Sequence, residues 1–240
     1  MNGPESMEYR CVKIEKDLVI DGDLSKPEWR AAAAVHLADV VTGRPALRAT
    51  EARLLWNERF LYASFRGDDP FVLASKTAYN DRLYEEDVVE LFIDDDADLK
   101  TYIEIEVNPL GAVLHYGVHN NLRGEIIQFA RVDRVVRAAV VRASARPTSG
   151  RDASCVKAPG KDGPGGTFAV ELAIPFSEFM TAPNNPPRKG DRWRMNLYRI
   201  DRGGNSNGPG GTGRDEYSAW CPTGEIDYHL PAKFGTLIFE

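Results

Sequence analysis

The chain has 240 residues, 42% hydrophobic and 28% charged, with 21 glycines and 15 prolines. At roughly 150 residues per domain, this is two small domains or one large all-β or α/β unit with enough chain for a real core. The composition excludes collagen-like, coiled-coil and wholly disordered chains. Net charge is −6, from 30 Lys plus Arg against 36 Asp plus Glu, and the acids cluster. Glu85, Glu86, Asp87, Glu90, Asp94, Asp95, Asp96 and Asp98 follow one another with no base among them. Such a surface repels phosphates and attracts cations or hydroxyl donors, which argues against nucleic acid as a partner.

No apolar run approaches the ~20 residues that cross a bilayer, and MNGPESMEYR has neither the apolar core nor the basic flank of a signal peptide. The expectation is a chain with no membrane partner. A leader removed upstream would make it secreted or periplasmic, so its location stays open. Cys11, Cys155 and Cys221 are odd in number and far apart, without zinc spacing, and are expected as free or buried thiols.

In chain order, Glu8 to Asp21 alternates and is broken at Asp21, Gly22 and Asp23. Leu24 to Ala34 predicts a short helix, with Ser25 and Glu28 at capping-box spacing, Pro27 in the first turn and Trp29 as its apolar anchor. RLLWNERFLYASF, residues 53–65, predicts two half-buried strands around a turn at Asn57, Glu58 and Arg59. Further strands are expected at 88–93, 101–108 and 112–117. In the second, Ile103, Ile105 and Val107 should face the core while Tyr102, Glu104 and Glu106 face water.

Later strands are expected at 126–129, 135–144, 167–174, 193–200 and 234–239, with a single helical turn at Pro175 to Met180. Many short strands with Gly and Pro punctuation predict a β-sandwich or barrel. Residues 147–166 and 202–213 are rich in Gly, Pro, Ser and Asn, the second holding six glycines in twelve residues. A linker there would leave 27 residues behind it, too few to fold alone, so both read as long surface loops of one domain spanning 1–240.

The sequence carries no GxSxG, P-loop or HExxH motif, and His36, His115, His119 and His229 lack metal-ligand spacing on a helix. The informative run is YEEDVVELFID, residues 84–94, which puts Glu90 and Phe92 on one strand face and Val89, Leu91 and Ile93 on the other. An aromatic ring at the strand entrance beside a carboxylate suits a sugar, the ring covering C–H faces and the acid accepting hydroxyl hydrogen bonds. The plainer alternative makes Tyr84 a rim residue and pairs Glu90 with an Arg. Glu90, Glu104 and Glu106 also admit a glycosidase acid pair. The turn Asp94-Asp95-Asp96-Ala97-Asp98 offers carboxylates suited to calcium, with Asp94, Asp96 and Asp98 as candidate ligands, or is a solvated turn.

Together, IDGDLSKPEW at 20–29, ARLLWNERFLYASFRGDDP at 52–70, YEEDVVELFIDDD at 84–96, YIEIEVNPLG at 102–111 and HLPAKFGTLIFE at 229–240 resemble carbohydrate-binding module family 9, within the wider DOMON-type sandwiches. The resemblance implies an all-β jelly-roll sandwich with no catalytic activity. It would bind an oligosaccharide or polysaccharide of plant type and work beside a separate glycoside hydrolase, with structural calcium. By position it places the two sugar-gripping rings on Tyr84 and Tyr228 and the acidic sugar contact on Glu90. Both rings depart from the family's tryptophan, and Glu106 stands where such members carry a sugar-contacting Arg. The rings are expected to be removable without loss of stability. Other readings are a haem-binding DOMON-type electron-transfer domain, for which Met1, Met7, Met180 and Met195 are the methionine ligand candidates, and a glycoside hydrolase using the paired carboxylates.

Overall fold

The structure, a computed structural model, describes residues 7–69, 71–144, 166–203 and 213–240. Its strands in chain order are β1 (Glu8–Lys13), β2 (Val35–His36), β3 (Ala38–Asp39), β4 (Thr50–Trp56), β5 (Phe60–Asp68), β6 (Val88–Asp94) and β7 (Thr101–Val107). They continue with β8 (Val113–Asn120), β9 (Ile126–Ala130), β10 (Arg137–Ser144), β11 (Gly166–Pro175), β12 (Arg192–Asp201), β13 (Glu216–Ala219) and β14 (Gly235–Phe239). All the strands expected from alternation are present. The expected helix over 24–34 narrows to a single 3₁₀ turn at Pro27–Arg30, and no Ser25–Glu28 capping box forms. The turn expected at Pro175 to Met180 is a 3₁₀ turn at Phe176–Glu178. Nearly all of the two long loops expected at 147–166 and 202–213 lies outside the described residues, as does Cys155. Cys11 and Cys221 are buried free thiols. Among the described residues no helix is long and apolar enough to cross a membrane.

The strands form two facing layers. One runs β14-β12-β6-β7-β8-β9 and the other β10-β11-β5-β4, and β1 joins both. Glu8–Cys11 pairs in parallel with Thr236–Phe239, while Val12–Lys13 pairs in parallel with Leu55–Trp56. Alternation puts Leu54, Trp56, Leu61, Ala63, Phe65, Val170 and Leu172 of one layer against Val89, Leu91, Ile93, Ile105, Met195, Leu197 and Leu237 of the other, in one buried core.

Both layers have much of their outer face covered. The strands expected to be half-buried at 53–65 are buried on both sides, because Leu18, Trp29 and Ala32 cover Leu55, Phe60 and Tyr62. The expected wet face of β7 is likewise covered: Tyr102, Glu104 and Glu106 are at most 3% exposed. A second apolar cluster, with Leu83, Phe92, Tyr102, Leu114, Tyr198, Tyr228 and Phe234, lies over that face. Period-2 alternation reports which residues share a face. It carries no information on whether a connecting segment folds back over the polar one.

Two buried carboxylate arrangements hold these covers in place. Glu171 of β11, fully buried, accepts from Trp29 Nε1 at 2.9 Å, from Lys26 Nζ at 2.8 Å and from the backbone N–H groups of Asp21 and Gly22 at 3.0 Å. At the other layer, Asp87 accepts from the backbone N–H of Arg202 at 2.7 Å and from that of Leu73. Asp69 is also buried, 3.9 Å from the Arg199 guanidinium. Burial pushes the Asp69 carboxyl up to about 7, against the opposing field of Arg199. Burial, followed by the charge of Asp69, pushes Asp87 up to about 8.

Two expectations follow. Glu171→Ala strands a lysine, an indole N–H and two backbone donors, and should cost about 3–5 kcal/mol in denaturant melts; a loss below about 1 kcal/mol would contradict the anchoring role. The raised pKa values of Asp69 and Asp87 mean that the native state holds protons the unfolded chain releases. Their stabilisation is therefore full below about pH 4 and is lost as pH climbs towards 8. Between pH 5 and 8 the Tm of the wild type should fall further than that of Asp69→Asn, each kcal/mol of difference appearing as about 2–4 °C. Parallel profiles would remove Asp69 from the account.

Candidate functional site

The outer face of the first layer carries an open cleft of about 400 Å³. Its floor is set by strand register. Glu90 on β6 is paired directly with Glu106 on β7, and Phe92 with Glu104, so the two strands turn three carboxyls and one ring to the same side. Gln128 on β9 reaches the floor across β8, its Nε2 donating to Glu104 Oε2 at 2.9 Å. One carboxylate oxygen from each of Glu90, Glu104 and Glu106 lies within 4.8 Å of the others. Burial, reinforced by the charge of Glu104, pushes the Glu90 carboxyl well above the usual range. Burial, then the charges of Glu90 and Glu104, does the same to Glu106, and the backbone amide of Tyr84 offsets part of that rise. Glu90 Oε1 and Glu106 Oε2 are buried without a hydrogen-bond partner.

The walls come from the covering segments. Tyr84 stands on a 3₁₀ turn, Leu83–Glu85, held down by the buried Leu83 and by Arg202, which donates to the Tyr84 carbonyl at 2.5 Å. The same guanidinium donates to the Tyr217 hydroxyl and to Asp215, each at 2.7 Å, so one arginine fixes two aromatic residues of the cleft. Tyr228 and His229 line the same cleft. The Tyr228 ring stacks on Tyr198 with centroids 4.0 Å apart and planes at 9°, and its hydroxyl donates to the Arg199 carbonyl at 2.9 Å. His229 Nδ1 is 2.8 Å from the Tyr102 hydroxyl, and Asn120 Nδ2 donates to the His229 carbonyl at 3.0 Å.

The four residues singled out in the sequence, Tyr84, Glu90, Glu106 and Tyr228, thus line one cleft. The two rings differ in character. Tyr84 is 36% exposed and free to stack, whereas Tyr228 is 9% exposed and has one face taken by Tyr198. The packing of Tyr228 on Tyr198 is at odds with the expectation that both rings are removable without loss of stability. Phe92 and Glu104 were within reach of the alternation argument, since they share a face with Glu90 and Glu106. Gln128, Tyr217 and His229 were not: they arrive through strand order and loop return, which leave no local signature.

The acidic turn lies at the far end of β6 from Tyr84. Carboxylate oxygens of Asp94, Asp96 and Asp98 come within 4.8 Å of one another. Leu99 N–H donates to Asp94 Oδ2 at 2.9 Å, while Asp94 Oδ1 is buried without a partner. Burial, with Asp96 and Asp98 adding to it, pushes Asp94 up to about 7. Asp95 turns away to accept from the Thr181 backbone and hydroxyl. The three carboxylates are hard oxygen donors of the kind calcium takes, and Asp94 keeps one buried oxygen unsatisfied.

Residues 20–114 match the family described as "Carbohydrate family 9 binding domain-like". No curated protein matches the chain in sequence. Among solved structures, a protein from Bacteroides uniformis ATCC 8492 to which carbohydrate binding is ascribed is 21% identical, with a TM-score of 0.73 over 98% of this chain and 100% of its own. A carbohydrate-binding module family 9 from Caldicellulosiruptor kristjanssonii, in complex with cellotriose, is 15% identical, with a TM-score of 0.60 over 98% of this chain and 94% of its own. A family 9 module of the same organism in complex with glucose is 18% identical, with a TM-score of 0.55 over 96% and 95% of the two chains. Residues 20–114 thus carry the sequence signature of the family 9-like binding domains, and the chain as a whole has the fold of these modules.

Proposed function

We propose that the protein binds carbohydrate without transforming it, and that the sugar sits in the cleft between Tyr84 and Tyr228 over the carboxyls of Glu90 and Glu106. The observation that carries this reading is convergence: four residues from three separate stretches of sequence line one cleft of about 400 Å³. That is room for one or two pyranose rings, with apolar walls for C–H faces and a polar floor for hydroxyls. The cellotriose and glucose bound by the solved family 9 modules make a β-glucan of plant type the first ligand class to test. Cooperation with a separate glycoside hydrolase is part of the same reading, and residues 1–240 act in it as one domain, supported by the pairing of β1 with strands at both ends of the chain.

The carboxyl geometry favours binding over hydrolysis. A glycosidase needs two acids flanking the scissile bond, about 5–5.5 Å apart in retaining enzymes and 6.5–9.5 Å in inverting ones. Here the three acids share one floor, with oxygens within 4.8 Å, all on the same side of any sugar in the cleft. The turn at Asp94, Asp96 and Asp98 would hold structural calcium, away from the sugar.

Calorimetry of wild type against cello- and xylo-oligosaccharides should give Kd values between micromolar and millimolar, about −8 to −4 kcal/mol. Tyr84→Ala should weaken binding at least tenfold while changing stability by less than about 0.5 kcal/mol. Tyr228→Ala should lose both binding and about 3–5 kcal/mol of stability, because its ring is packed on Tyr198. Absence of binding across a broad glycan panel, in calcium-containing buffer, would sink the proposal.

Chelation should separately lower the Tm of wild type, and Asp98→Asn should remove most of the calcium-dependent rise that Asp94, Asp96 and Asp98 are proposed to supply. A Tm that ignores both calcium and that substitution would dismiss the turn as a metal site.

A further inference from the structure

The floor of the cleft gathers more carboxyl groups than a neutral sugar needs. Glu90, Glu104 and Glu106 are 2%, 3% and 1% exposed. Two of their oxygens, Glu90 Oε1 and Glu106 Oε2, have no donor although both are buried and their side chains line the cleft. The guanidinium whose field reaches Glu90, that of Arg202, is committed to the Tyr84 carbonyl, Asp215 and Tyr217. Gln128 supplies one neutral donor, to Glu104. A sugar hydroxyl could occupy an empty acceptor, but it brings no charge, and three clustered carboxylates in a desolvated floor call for one.

We propose that Glu90, Glu104 and Glu106 hold a divalent cation of the calcium class, and that this cation offers its remaining coordination positions to hydroxyls of the bound glycan. The first half stands on the carboxylate geometry alone; the second rests on the reading of this cleft as the sugar site. Calcium takes 6–8 oxygens at 2.3–2.6 Å, so oxygens bound to one ion lie no more than about 4.6–5.2 Å apart. The three carboxylates meet that condition, with one oxygen each within 4.8 Å of the others. They supply three to six ligands, depending on denticity, from strands that register already fixes. The open side of the ion then faces the cleft, between Tyr84 and His229. With oxygen donors alone in the cluster, a hard cation is favoured over zinc or copper.

The test uses a double variant, Asp96→Asn with Asp98→Asn, so that the acidic turn does not contribute, and compares it with the same protein carrying Glu90→Gln. Glutamine keeps the shape of the side chain and removes its charge, so folding is preserved; Glu106→Gln serves as the second substitution. Calcium titrated into chelator-treated protein, followed by calorimetry and by Tm, should show one equivalent and a rise in Tm in the Glu90 protein. Both should weaken at least tenfold in each Gln variant. Binding of cellotriose to wild type should weaken at least tenfold in EDTA. Unchanged calcium titrations in the Gln variants, or equal cellotriose affinity in EDTA and in calcium, would overturn the inference while leaving carbohydrate binding intact. If no glycan binds but the Glu90-dependent calcium equivalent is present, the metal site stands and the carbohydrate reading fails. Binding of glucosamine oligosaccharides in EDTA, lost in Glu90→Gln, would mean that the cation is the ligand's own ammonium and would overturn the metal.

Discussion

Register pairs Glu90 with Glu106 across neighbouring strands, and two like charges directly opposite each other on a sheet repel. On an exposed face, water would screen the pair. Here the covering segments remove the water, burial raises both carboxyls, and Glu104 crowds the same patch. An apolar residue at any of the three positions would continue the Phe92, Tyr102 and Leu114 cluster around them at lower cost. The rest of the site is arranged about this unfavourable patch. Its walls are aromatic, one glutamine reaches in, and the cleft stays open above it.

What holds the cleft open is the way the covers are tied. Asp87, immediately before β6, accepts the backbone of Arg202 at the end of β12, and the Arg202 side chain in turn positions Tyr84 and Tyr217. On the other wall Tyr228 is bound by stacking and hydrogen bonds to Tyr198 and to the backbone of β12. The aromatic residues of the cleft are therefore tied to the strands beneath them. Such preorganisation limits the ordering cost of binding.

Strand positions were legible in the sequence because alternation over VELFID and YIEIEV is a direct record of the pleat. The convergence of Tyr84, Glu90, Glu106 and Tyr228 was legible through the order and spacing of segments from Ile20 to Glu240. Burial of the polar face was not, since Glu104 and Glu106 alternate with isoleucine as they would on a wet strand. Tyr228 likewise carries no local sign that Tyr198 will pack against one side of its ring. Gln128 and Tyr217 enter the cleft through neighbours distant in sequence, and the short turn at Pro27–Arg30 is held by Glu171, 142 residues from Trp29, rather than by its own caps. Local pattern specified the strands; long-range pairing specified the site.

The most direct test of the account is to map a bound sugar on the protein itself. In two-dimensional NMR spectra of the calcium-loaded protein titrated with cellotriose, the account predicts that the amides shifted most will cluster at Tyr84, on β6 and β7 around Glu90 and Glu106, at Gln128 and at Tyr228–His229. Shifts confined to the opposite layer, or to the edge strands away from this cleft, would contradict it.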